Sequence, residues 1–453
     1  MRMNRRDFLK DMAATAGAFA VPTIVPSSVF GAGAPSNRVN IAAIGVGGRG
    51  GGNVWNGFVN NNPDARVIAV CDCFRSRREG LAKRINEKYG SNVCKPMADF
   101  REVLARDDVD GVVVSTPDHW HVPIAYYTAQ AKKDMYVEKP LGLAMAWAWK
   151  LREIVKENKI IFQYGTQQRS GDGFFRAVNL VRNGYIGKVK HIDAWASGMR
   201  APGWYATEFE NHYRNIEPAD APEDLDYKMW IGPAPMKPYT KSRCTQWGTY
   251  HIYDYALGFI AGWGAHPLDI AQWGLDKDHT SPVTYEGSGK MPPKGLFDTV
   301  DYWDVHCKYS DGVTMRFMCT RAAEEVVGKL DQRKLPFQDH GTRFVGEGGW
   351  ICVSRQGVYA STRELQRMNI KDSDTPVYQS SSQARNFVEC IKTRKATINP
   401  LESAIRSDTI SHMSDISIRT GKTIQWDPDK EQIVGNDEAA KMLDRPMRKP
   451  WRM

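Results

Sequence analysis

A lysine and a histidine that lie far apart in the sequence are of the types needed to oxidise an alcohol. Lys139 stands in "EKPLGLAMAWAWKL" and His266 in "GWGAHPLDIAQWGL". Taking hydride from a secondary alcohol requires loss of its hydroxyl proton, and imidazole is a base of suitable pKa for that step. A neighbouring ammonium stabilises the negative charge that develops on the oxygen. We therefore predict that Lys139 and His266 act together; an exposed turn lysine and a structural histidine are the alternatives.

A glycine-rich loop near the start of the chain has the spacing of a dinucleotide cradle. The apolar run "VNIAAI" leads directly into Gly45, Gly47 and Gly50, which follow the pattern G-x-G-x-x-G. The first glycine permits a tight turn, the second lets the backbone approach a pyrophosphate, and the third lets the next helix pack closely. This loop, which also contains Gly48 and Arg49, predicts a binding site for NAD or NADP.

The end of the second apolar run bears on the choice between these two cofactors. "ARVIAVCD" ends in Asp72, whose carboxylate can accept hydrogen bonds from the hydroxyls of the adenosine ribose. Asp72 therefore favours NAD. Arg75, Arg77 and Arg78 follow closely and could instead bind a 2′-phosphate, so the sequence leaves NADP open.

The segments around these loops alternate between apolar strands and helices. "DVDGVVVS", "DMYVEKP" and "IIFQYG" predict strands, with "TPDHWH" in a loop, and "LAKRINEKYG", "VPIAYYTAQAKK" and "MAWAWKLREIVKENK" predict helices. This alternation indicates an α/β fold whose N-terminal domain, residues 36–163, is a Rossmann-like doubly wound parallel sheet. Ligands bind at the carboxyl ends of such strands. The residues that we expect around the cofactor there are Thr116, Pro117, His119, His121, Glu138, Lys139 and Gln167.

Beyond about residue 165 the pattern changes to alternating apolar and polar residues. "HIDAWASG", "YWDVHCKYS", "GVTMRFMCT" and "GTRFVGEGGWICVSR" are typical of antiparallel strands. We assign residues 164–453 to a second α/β domain with a C-terminal helix and a basic tail. Residues 198–263, rich in Pro, Trp and Tyr, are predicted to be irregular and to cover a site. A sheet with one face covered by helices leaves the other for a second subunit, so we expect a homo-oligomer, a dimer or tetramer.

The first 34 residues predict an exported protein. Two adjacent arginines in "NRRDFLK" precede a weakly apolar stretch and then small residues. This is the pattern of a twin-arginine signal peptide, residues 1–34, with an uncertain cleavage site. The apolar part is too short to span a bilayer, so we expect a periplasmic protein without a permanent membrane anchor. Because the twin-arginine route carries folded proteins, we also expect a tightly bound cofactor.

Charge and cysteine content argue against other classes. The net charge of +9 is spread thinly over 453 residues, so nucleic-acid binding is not expected. The eight cysteines are scattered, and no CxxC pair is present. We expect isolated buried thiols, with neither a metal centre nor a disulfide framework.

Six motifs, taken in order, resemble the glucose–fructose oxidoreductase and inositol dehydrogenase (Gfo/Idh/MocA) family of NAD(P)-dependent sugar enzymes. They are "AAIGVGGRG", "STPDHWH", "EKPLGLAMAWAWKL", "QYGTQQRS", "GWGAHPLDIAQWGL" and "GEGGWICVSR", and they span nearly the whole chain after the signal segment. The resemblance implies a Rossmann-like domain followed by an α/β domain with a large, open, mostly antiparallel sheet. It also implies a sugar, glycoside or cyclitol substrate and, in the exported subgroup, a nicotinamide cofactor that stays bound.

The resemblance also assigns roles to single residues. Lys139 matches a lysine that lies by the nicotinamide and hydrogen-bonds the oxidised hydroxyl, Pro140 matches the residue that fixes its turn, and His266 matches the general base. Many relatives carry Asp or Asn four residues before that histidine, where this chain has Gly262. Asp269, about one helical turn after His266, is our candidate for the missing partner; a helix-surface carboxylate is the alternative.

Two activities and a non-catalytic role stay open. The leading hypothesis is oxidation of a ring hydroxyl, with Gln168 and Arg169 as candidates to bind sugar hydroxyls beside Lys139 and His266; an ordinary loop role is the alternative for both. The second is glycoside cleavage through transient oxidation and elimination. Relatives of that type usually carry a Tyr and a His close together before a glycine, which "GWGAHPLD" does not reproduce. A binding protein without turnover is the third, and Gly262 gives it some weight.

Overall fold

The computed structural model of the chain describes residues 38–201, 203–330 and 340–453. The predicted signal peptide, residues 1–34, lies outside these ranges and stays a prediction.

The first sheet is built from continuous apolar runs, as expected for strands that are buried on both faces. Its six strands are β1 Val39–Ile44, β2 Ala65–Cys71, β3 Lys95–Met97, β4 Gly111–Val114, β5 Asp134–Glu138 and β6 Phe162–Gly165. They lie in the order β3-β2-β1-β4-β5-β6, and all neighbouring pairs are parallel. The strand order reverses between β1 and β4, which is where such sheets bind ligands. The predicted Rossmann-like sheet is confirmed.

The connections between these strands are mainly helical. The helices are Gly48–Asn53, which continues as a π-helix over Val54–Asn60, then Arg75–Tyr89, Phe100–Leu104, Asp118–Gln130 and Met145–Glu157. One boundary differs from the prediction, because "TPDHWH" is not all loop. The helix begins at Asp118, directly after Pro117, and carries His119 and His121 in its first turns. An acidic residue in the first turn is favoured by the helix dipole, which explains this earlier start.

The second sheet has nine strands and is mostly antiparallel, as predicted. They are β7 Val189–Ala196, β8 Thr284–Lys290, β9 Tyr302–Lys308, β10 Thr314–Cys319, β11 His340–Gly346, β12 Gly349–Ser354, β13 Gly357–Ala360, β14 Ile424–Asp427 and β15 Gln432–Val434. Their order is β13-β12-β11-β7-β10-β9-β8-β14-β15, and only the pair β7 and β10 is parallel among these strands. In β9 the buried Trp303, Val305 and Cys307 alternate with more exposed neighbours, so one face carries the core.

The residues after β6 also form helices, including some in the stretch predicted to be irregular. The described part of residues 198–263 has four short helices, Trp204–His212, Tyr227–Ile231, Gln246–His251 and Phe259–Gly262. Two of them begin at side-chain caps, in which Asp226 accepts from the backbone N–H of Met229 and Thr245 from that of Gly248. The other helices are Asp172–Arg182, Ala265–Gly274, Thr320–Leu330, Arg363–Arg367, Gln383–Thr393, Leu401–Thr420 and Asp437–Lys441, with a 3-10 turn at Gln168–Ser170.

The two sheets belong to one compact unit, Val39–Met453. Helix Gln383–Thr393 returns to the first sheet, where Phe387 packs in an edge-to-face contact against Tyr136, with 6.3 Å between the ring centroids. The cysteines are free thiols, seven of them buried, as expected from their scatter. Among the described residues, no helix is long and apolar enough to cross a membrane, and no group of three or more His, Cys, Asp or Glu side chains could hold a metal ion.

Candidate active site

A cavity of about 390 Å³ lies at the carboxyl ends of the strands of the first sheet. Its walls come from the glycine loop, from the ends of β2, β4 and β5, and from residues 229–250 of the second half of the chain. Predicted site residues that line it are Gly45, Gly47, Gly48, Arg49, Gly50, Asp72, Thr116, Pro117, His121, Glu138 and Lys139. Most of the predicted cofactor residues therefore share one cavity.

The glycine loop has the geometry that a dinucleotide requires. Gly45 has a φ of +82°, and a Cβ placed on it would lie 2.6 Å from the carbonyl oxygen of Ser115. A Cβ on Gly50 would overlap the carbonyl of Gly45, so the helix packs closely at this point. By contrast, a Cβ on Gly48 would meet nothing within 4 Å. The backbone is thus tight behind the loop and open toward the cavity, which fits a bound pyrophosphate.

Asp72 lies where the cradle meets the end of β2. Its carboxylate accepts hydrogen bonds from the backbone N–H groups of Val46, at 2.8 Å, and Phe74, at 2.9 Å. Burial raises the pKa of Asp72, while these hydrogen bonds and the charge of Arg77 oppose the rise. The guanidinium of Arg77 packs over the ring of Phe74, 3.8 Å from its centroid. Asp72 is therefore held by the loop at the cavity wall.

Lys139 follows β5 and points from the first sheet toward the second half of the chain. Its Nζ donates a hydrogen bond of 2.7 Å to the carbonyl oxygen of Gly262. The same Nζ lies 5.8 Å from the ring centroid of Tyr250 and 5.7 Å from that of Trp263. Burial lowers the pKa of Lys139, although the carboxyl groups of Glu138 and Asp118 oppose the shift. Gly262, which stands where many relatives have Asp or Asn, thus contacts Lys139 through its backbone carbonyl.

Two side chains hold the turn that carries Lys139. Asp408, from helix Leu401–Thr420, accepts hydrogen bonds from the backbone N–H of Leu141 at 2.7 Å and from the hydroxyl of Tyr164 at 2.9 Å. The ring nitrogens of His121 lie 2.6 Å from the carbonyl oxygen of Pro140 and 2.8 Å from that of Thr116. Both ring nitrogens of His121 are engaged by backbone, so this residue braces the turn.

Glu138 connects the turn to the cradle. Its Oε1 accepts hydrogen bonds from Asn53 Nδ2 at 2.5 Å and from Gln167 Nε2 at 2.7 Å. Arg49 donates to Gln167 Oε1 at 3.0 Å and lies 3.9 Å from Glu138 Oε1. These contacts fix the glycine loop against the end of β5 and keep an acidic group beside Lys139.

His266 is buried close to the site but is not among the residues that line the cavity. Its ring stacks on that of His340, with 5.1 Å between centroids, and its Nε2 lies 3.4 Å from Arg355 Nη2. Its Nδ1 has no hydrogen-bond partner among the described residues. Burial, followed by the charges of His340, Lys139 and Arg355, pulls the pKa of His266 well below its usual range. The imidazole is therefore neutral.

Asp269 does not orient His266 in this structure. Its carboxylate forms a bidentate pair with Arg169, with a shortest distance of 2.7 Å, and also accepts from Thr166 at 2.9 Å and Asn399 at 3.1 Å. Arg169 makes a second ion pair with Asp278 at 2.7 Å and is only 2% exposed. A carboxylate buried this deeply needs a charged partner, and Arg169 meets that need. Neither residue is available to a sugar.

Three other predicted residues are also absent from the cavity lining, namely Gln167, whose contacts are given above, His119 and Gln168. His119 is fully buried, with its Nε2 2.9 Å from the carbonyl oxygen of Trp230, and burial lowers its pKa to about 4. Gln168 is buried and its Nε2 contacts Nε2 of His340. Both therefore support the surroundings of the site.

Several cavity residues were missed by the sequence prediction. From the second half of the chain these are Met229, Cys244, Gln246, Thr249 and Tyr250. The composition of residues 198–263 predicted a covering segment without indicating which side chains face the cavity. Asp118 also lines it, and burial raises the pKa of its carboxyl well above the usual range. Asp118 could have been suspected from "TPDHWH", where Thr116, Pro117 and the two histidines were selected.

Family comparison agrees with this arrangement. Residues 39–166 match the Gfo/Idh/MocA family model described as "Oxidoreductase family, NAD-binding Rossmann fold". Residues 180–326 and 356–453 match the model of the same family's C-terminal alpha/beta domain. The chain belongs to the Gfo/Idh/MocA oxidoreductase family, and its N-terminal domain binds NAD.

The names of individual similar proteins state different activities. A curated Shewanella sp. (strain ANA-3) protein named "Glycosyl hydrolase family 109 protein 2" is 32% identical over 215 residues, 42% of this chain and 45% of the relative. The match thus spans less than half the length of that relative. The aldose-aldose oxidoreductase of Caulobacter crescentus has a TM-score of 0.58 at 18% identity, over 86% of this chain and 99% of the other. Myo-inositol 2-dehydrogenase of Lactobacillus plantarum has a TM-score of 0.56 at 16% identity, over 86% and 99%. At these identities the two solved structures support the fold alone.

Proposed function

We propose that the protein oxidises a ring hydroxyl of a sugar, glycoside or cyclitol, with NAD held in the cradle. The observation that carries this proposal is the position of Lys139, whose ammonium lies in the wall of the cavity that contains the glycine loop. A cation at that position can stabilise negative charge on an alcohol oxygen. The aromatic rings of Tyr250 and Trp263, whose centroids lie 5.8 and 5.7 Å from Lys139 Nζ, suit a sugar face.

In the proposed reaction, some side chains of the protein would bind the cofactor and others would position or contact the substrate. When bound, the nicotinamide supplies the hydride acceptor. The glycine loop and Asp72 would hold the dinucleotide. Lys139 would donate a hydrogen bond to the substrate oxygen in place of the carbonyl of Gly262. Glu138 and the turn contacts of Asp408 keep the ammonium at this position.

A second candidate is glycoside cleavage in which transient oxidation of a ring hydroxyl is followed by elimination. The observation that favours it is the set of relatives named as glycosyl hydrolase family 109 proteins. In this reaction the cofactor is restored within each turnover, so a glycoside yields free sugar without net NADH. In the first reaction it yields a keto-sugar and reduced cofactor.

The test begins with mass spectrometry of the nucleotide that is bound after purification. A panel of sugars, cyclitols and glycosides is then mixed with the holoprotein, while the absorbance of reduced nicotinamide and the products are followed. The first proposal predicts a keto-sugar with reduced cofactor, and the second predicts free sugar with no net reduction. If the purified protein held no nicotinamide nucleotide, the claim that NAD stays bound would be overturned. If the panel gave neither product, both proposed activities would be overturned.

We also propose that the cofactor is retained because residues 224–230 clasp the first domain. The carboxylate of Asp224 accepts hydrogen bonds from the backbone N–H of Ser76 at 2.8 Å and from its Oγ at 2.5 Å. The N–H of Asp226 donates to the carbonyl of Cys73 at 3.0 Å. These contacts lie directly after Asp72, and the clasp leads into Trp230 at the cavity wall.

The clasp can be tested by the release of the nucleotide. Asp224→Ala removes two charge-assisted hydrogen bonds, so we expect NAD to dissociate about 10-fold faster or more. The matched control is Asp220→Ala, an exposed acid in the same segment, which should leave the rate unchanged. Equal dissociation rates for wild type and Asp224→Ala would refute the clasp.

Export through the twin-arginine pathway to the periplasm is a further proposal, supported by the "NRRDFLK" pattern. The full chain and a variant with both Arg5 and Arg6 changed to Lys are expressed in bacteria and the cells fractionated. We expect the wild type in the periplasm and the variant in the cytoplasm. The same distribution for both proteins would contradict the proposal.

Self-association through the second sheet is supported by its less buried face, on which His306 and Lys308 of β9 are exposed. Native mass spectrometry of the folded protein should give the mass of a dimer or tetramer. A monomer at micromolar concentration would contradict it.

A further inference from the structure

Tyr250 occupies the space left by the small residue at position 262. A Cβ placed on Gly262 would lie 3.5 Å from Cδ1 and 3.6 Å from Cε1 of the Tyr250 ring. Both distances are ordinary van der Waals contacts, so the ring fits against the glycine without strain. A phenol therefore lies beside the position where many relatives carry an acidic or amide side chain.

The same ring lies close to Lys139 in the wall of the cavity. The Nζ of Lys139 is 5.8 Å from the Tyr250 centroid, and both side chains line the cavity that contains the cradle. Tyr250 is the second-last residue of the short helix Gln246–His251 and is only partly buried. Within the described ranges, no hydrogen bond is made to its hydroxyl. The phenol is thus available to a ligand that also contacts Lys139.

The phenol is held in its protonated form. Burial raises the pKa of Tyr250, the nearby carboxyl groups of Asp118 and Glu138 raise it further, and Arg49 opposes the rise. The titratable and charged groups that face it from all sides are Lys139, Glu138, Asp118 and Arg49 of the first domain, and Tyr205 and His251 of the second. A protonated phenol can donate to an oxygen and, as the minor phenolate, can accept a proton.

His266 is a weaker candidate for this proton transfer. It is 2% exposed and does not line the cavity, and neighbouring positive charges disfavour its imidazolium form. Accepting a proton would add a further positive charge beside Arg355. Proton uptake by a phenolate gives a neutral phenol and so creates no new cation, although Lys139 stabilises the phenolate form.

We propose that Tyr250 is a catalytic residue that exchanges a proton with the same substrate oxygen that Lys139 contacts. The inference rests on the proposed oxidation of a ring hydroxyl. In the oxidative direction the O–H bond of the substrate breaks, its proton goes to the phenolate oxygen, and the carbon gives its hydride to the bound NAD as the C=O bond forms. In the reverse direction the ketone carbon gains a hydride and its oxygen takes the phenolic proton. The role is common to both proposed activities, since each begins with oxidation.

The experiment compares Tyr250→Phe with wild type in single-turnover reduction of bound NAD by an active sugar. We expect the rate of Tyr250→Phe to fall about 100-fold or more. The wild-type rate should rise up to about 10-fold per unit between about pH 7 and 9, as the phenolate fraction grows, and this rise should vanish in the variant. The NAD content and the melting temperature of the variant should equal those of wild type.

Two controls separate this proposal from folding effects and from the proposed function. Tyr239→Phe alters a tyrosine outside the cavity lining and should keep the rate and the pH dependence of wild type. Biosynthetic 3-fluorotyrosine, which lowers the phenol pKa, should raise the oxidation rate at fixed pH in wild type and not in Tyr250→Phe. If wild type reduces NAD and Tyr250→Phe does so within about 3-fold with an unchanged pH profile, the role of Tyr250 is wrong and the function stands. If wild type reduces NAD with no sugar of the panel, the proposed function fails and this inference fails with it.

Discussion

Two charged clusters lie at the ends of neighbouring strands of the first sheet and differ in what remains available to a ligand. At the end of β5, Lys139 donates to a backbone carbonyl in the wall of a cavity. Just beyond β6, Arg169 is paired with Asp269 and Asp278, which leaves it 2% exposed. The sequence presents both clusters as polar residues after a strand. What separates a reactive group from a structural one here is whether its hydrogen bonds are already used by the protein.

The two clusters also differ in how the surroundings affect the charge of their basic side chain. The guanidinium of Arg169 lies against two carboxylates, so its charge is stabilised although burial opposes it. Lys139 lacks an ion pair of that kind in the described structure, and burial lowers its pKa. A perturbed amine in a cavity is typical of a functional site, whereas a compensated buried pair is typical of a fold. The predictions below use this contrast, from the largest effect on stability to the smallest on rate.

The largest effect on stability is expected from Asp269→Ala. The substitution leaves the guanidinium of Arg169 buried with one of its two carboxylates removed, so the free energy of unfolding should fall by about 3–5 kcal/mol. Chemical denaturation of the variant and wild type measures this change. Glu347→Ala, which breaks the exposed pair with Lys190, is the control and should leave stability nearly unchanged. Comparable losses in the two variants would show that the buried pair of Arg169 and Asp269 contributes no more to stability than an exposed pair.

A smaller effect is expected at Asp408, the buried acid behind the turn of Lys139. Burial raises the pKa of Asp408 to about 7, so the folded protein binds a proton there that the unfolded chain releases near pH 4. This contribution to stability is complete below about pH 4 and is lost as the pH rises through about 7. Asp408→Asn keeps a neutral side chain at all pH values.

The stability of Asp408→Asn relative to wild type should therefore increase from about pH 4 to pH 8, by at most about 4 kcal/mol. Denaturation curves of both proteins at several pH values measure the difference. A constant difference across this range would show that Asp408 does not titrate there. The variant should keep NAD, since Asp408 lies behind the turn and does not line the cavity.

The smallest effect is expected at His266. Because the pKa of this imidazole lies well below its usual range, it stays neutral above about pH 6 and cannot produce a pH dependence near neutrality. His266→Gln should lower kcat by about 10-fold or less and leave the shape of the pH profile unchanged. Loss of an inflection between about pH 6 and 7 in the variant would instead assign the general base to His266.

Local patterns in the sequence predicted most of the fold and one wall of the site. The glycine spacing and the apolar runs before Asp72 and Lys139 determine where the strands end, and these residues share the cavity because parallel strands end at one edge. Helices inside residues 198–263 were not predicted, since their caps at Asp226 and Thr245 stand among many turn-forming residues.

The spacing of residues along the chain was a poor guide to which side chains meet in the site. Asp269 follows His266 by one helical turn, but its side chain pairs with Arg169 from another element, which no spacing along one helix reveals. Tyr250 was passed over because its proximity to Lys139 arises from contacts between segments over 100 residues apart. The glycine at position 262 is visible in the sequence, whereas the Tyr250 ring that packs against it is visible only in the fold.

The most direct test of the account is single-turnover reduction of bound NAD by Lys139→Ala, beside the buried-cluster variant Asp269→Ala. The account predicts that Lys139→Ala keeps its NAD and its stability but reduces the cofactor at least about 1,000-fold more slowly, because a cation at the oxygen is lost. Asp269→Ala should instead lose stability and retain the rate in the fraction that remains folded. If Lys139→Ala turned over within about 3-fold of wild type on every active sugar, the assignment of the chemistry to this cluster would be wrong.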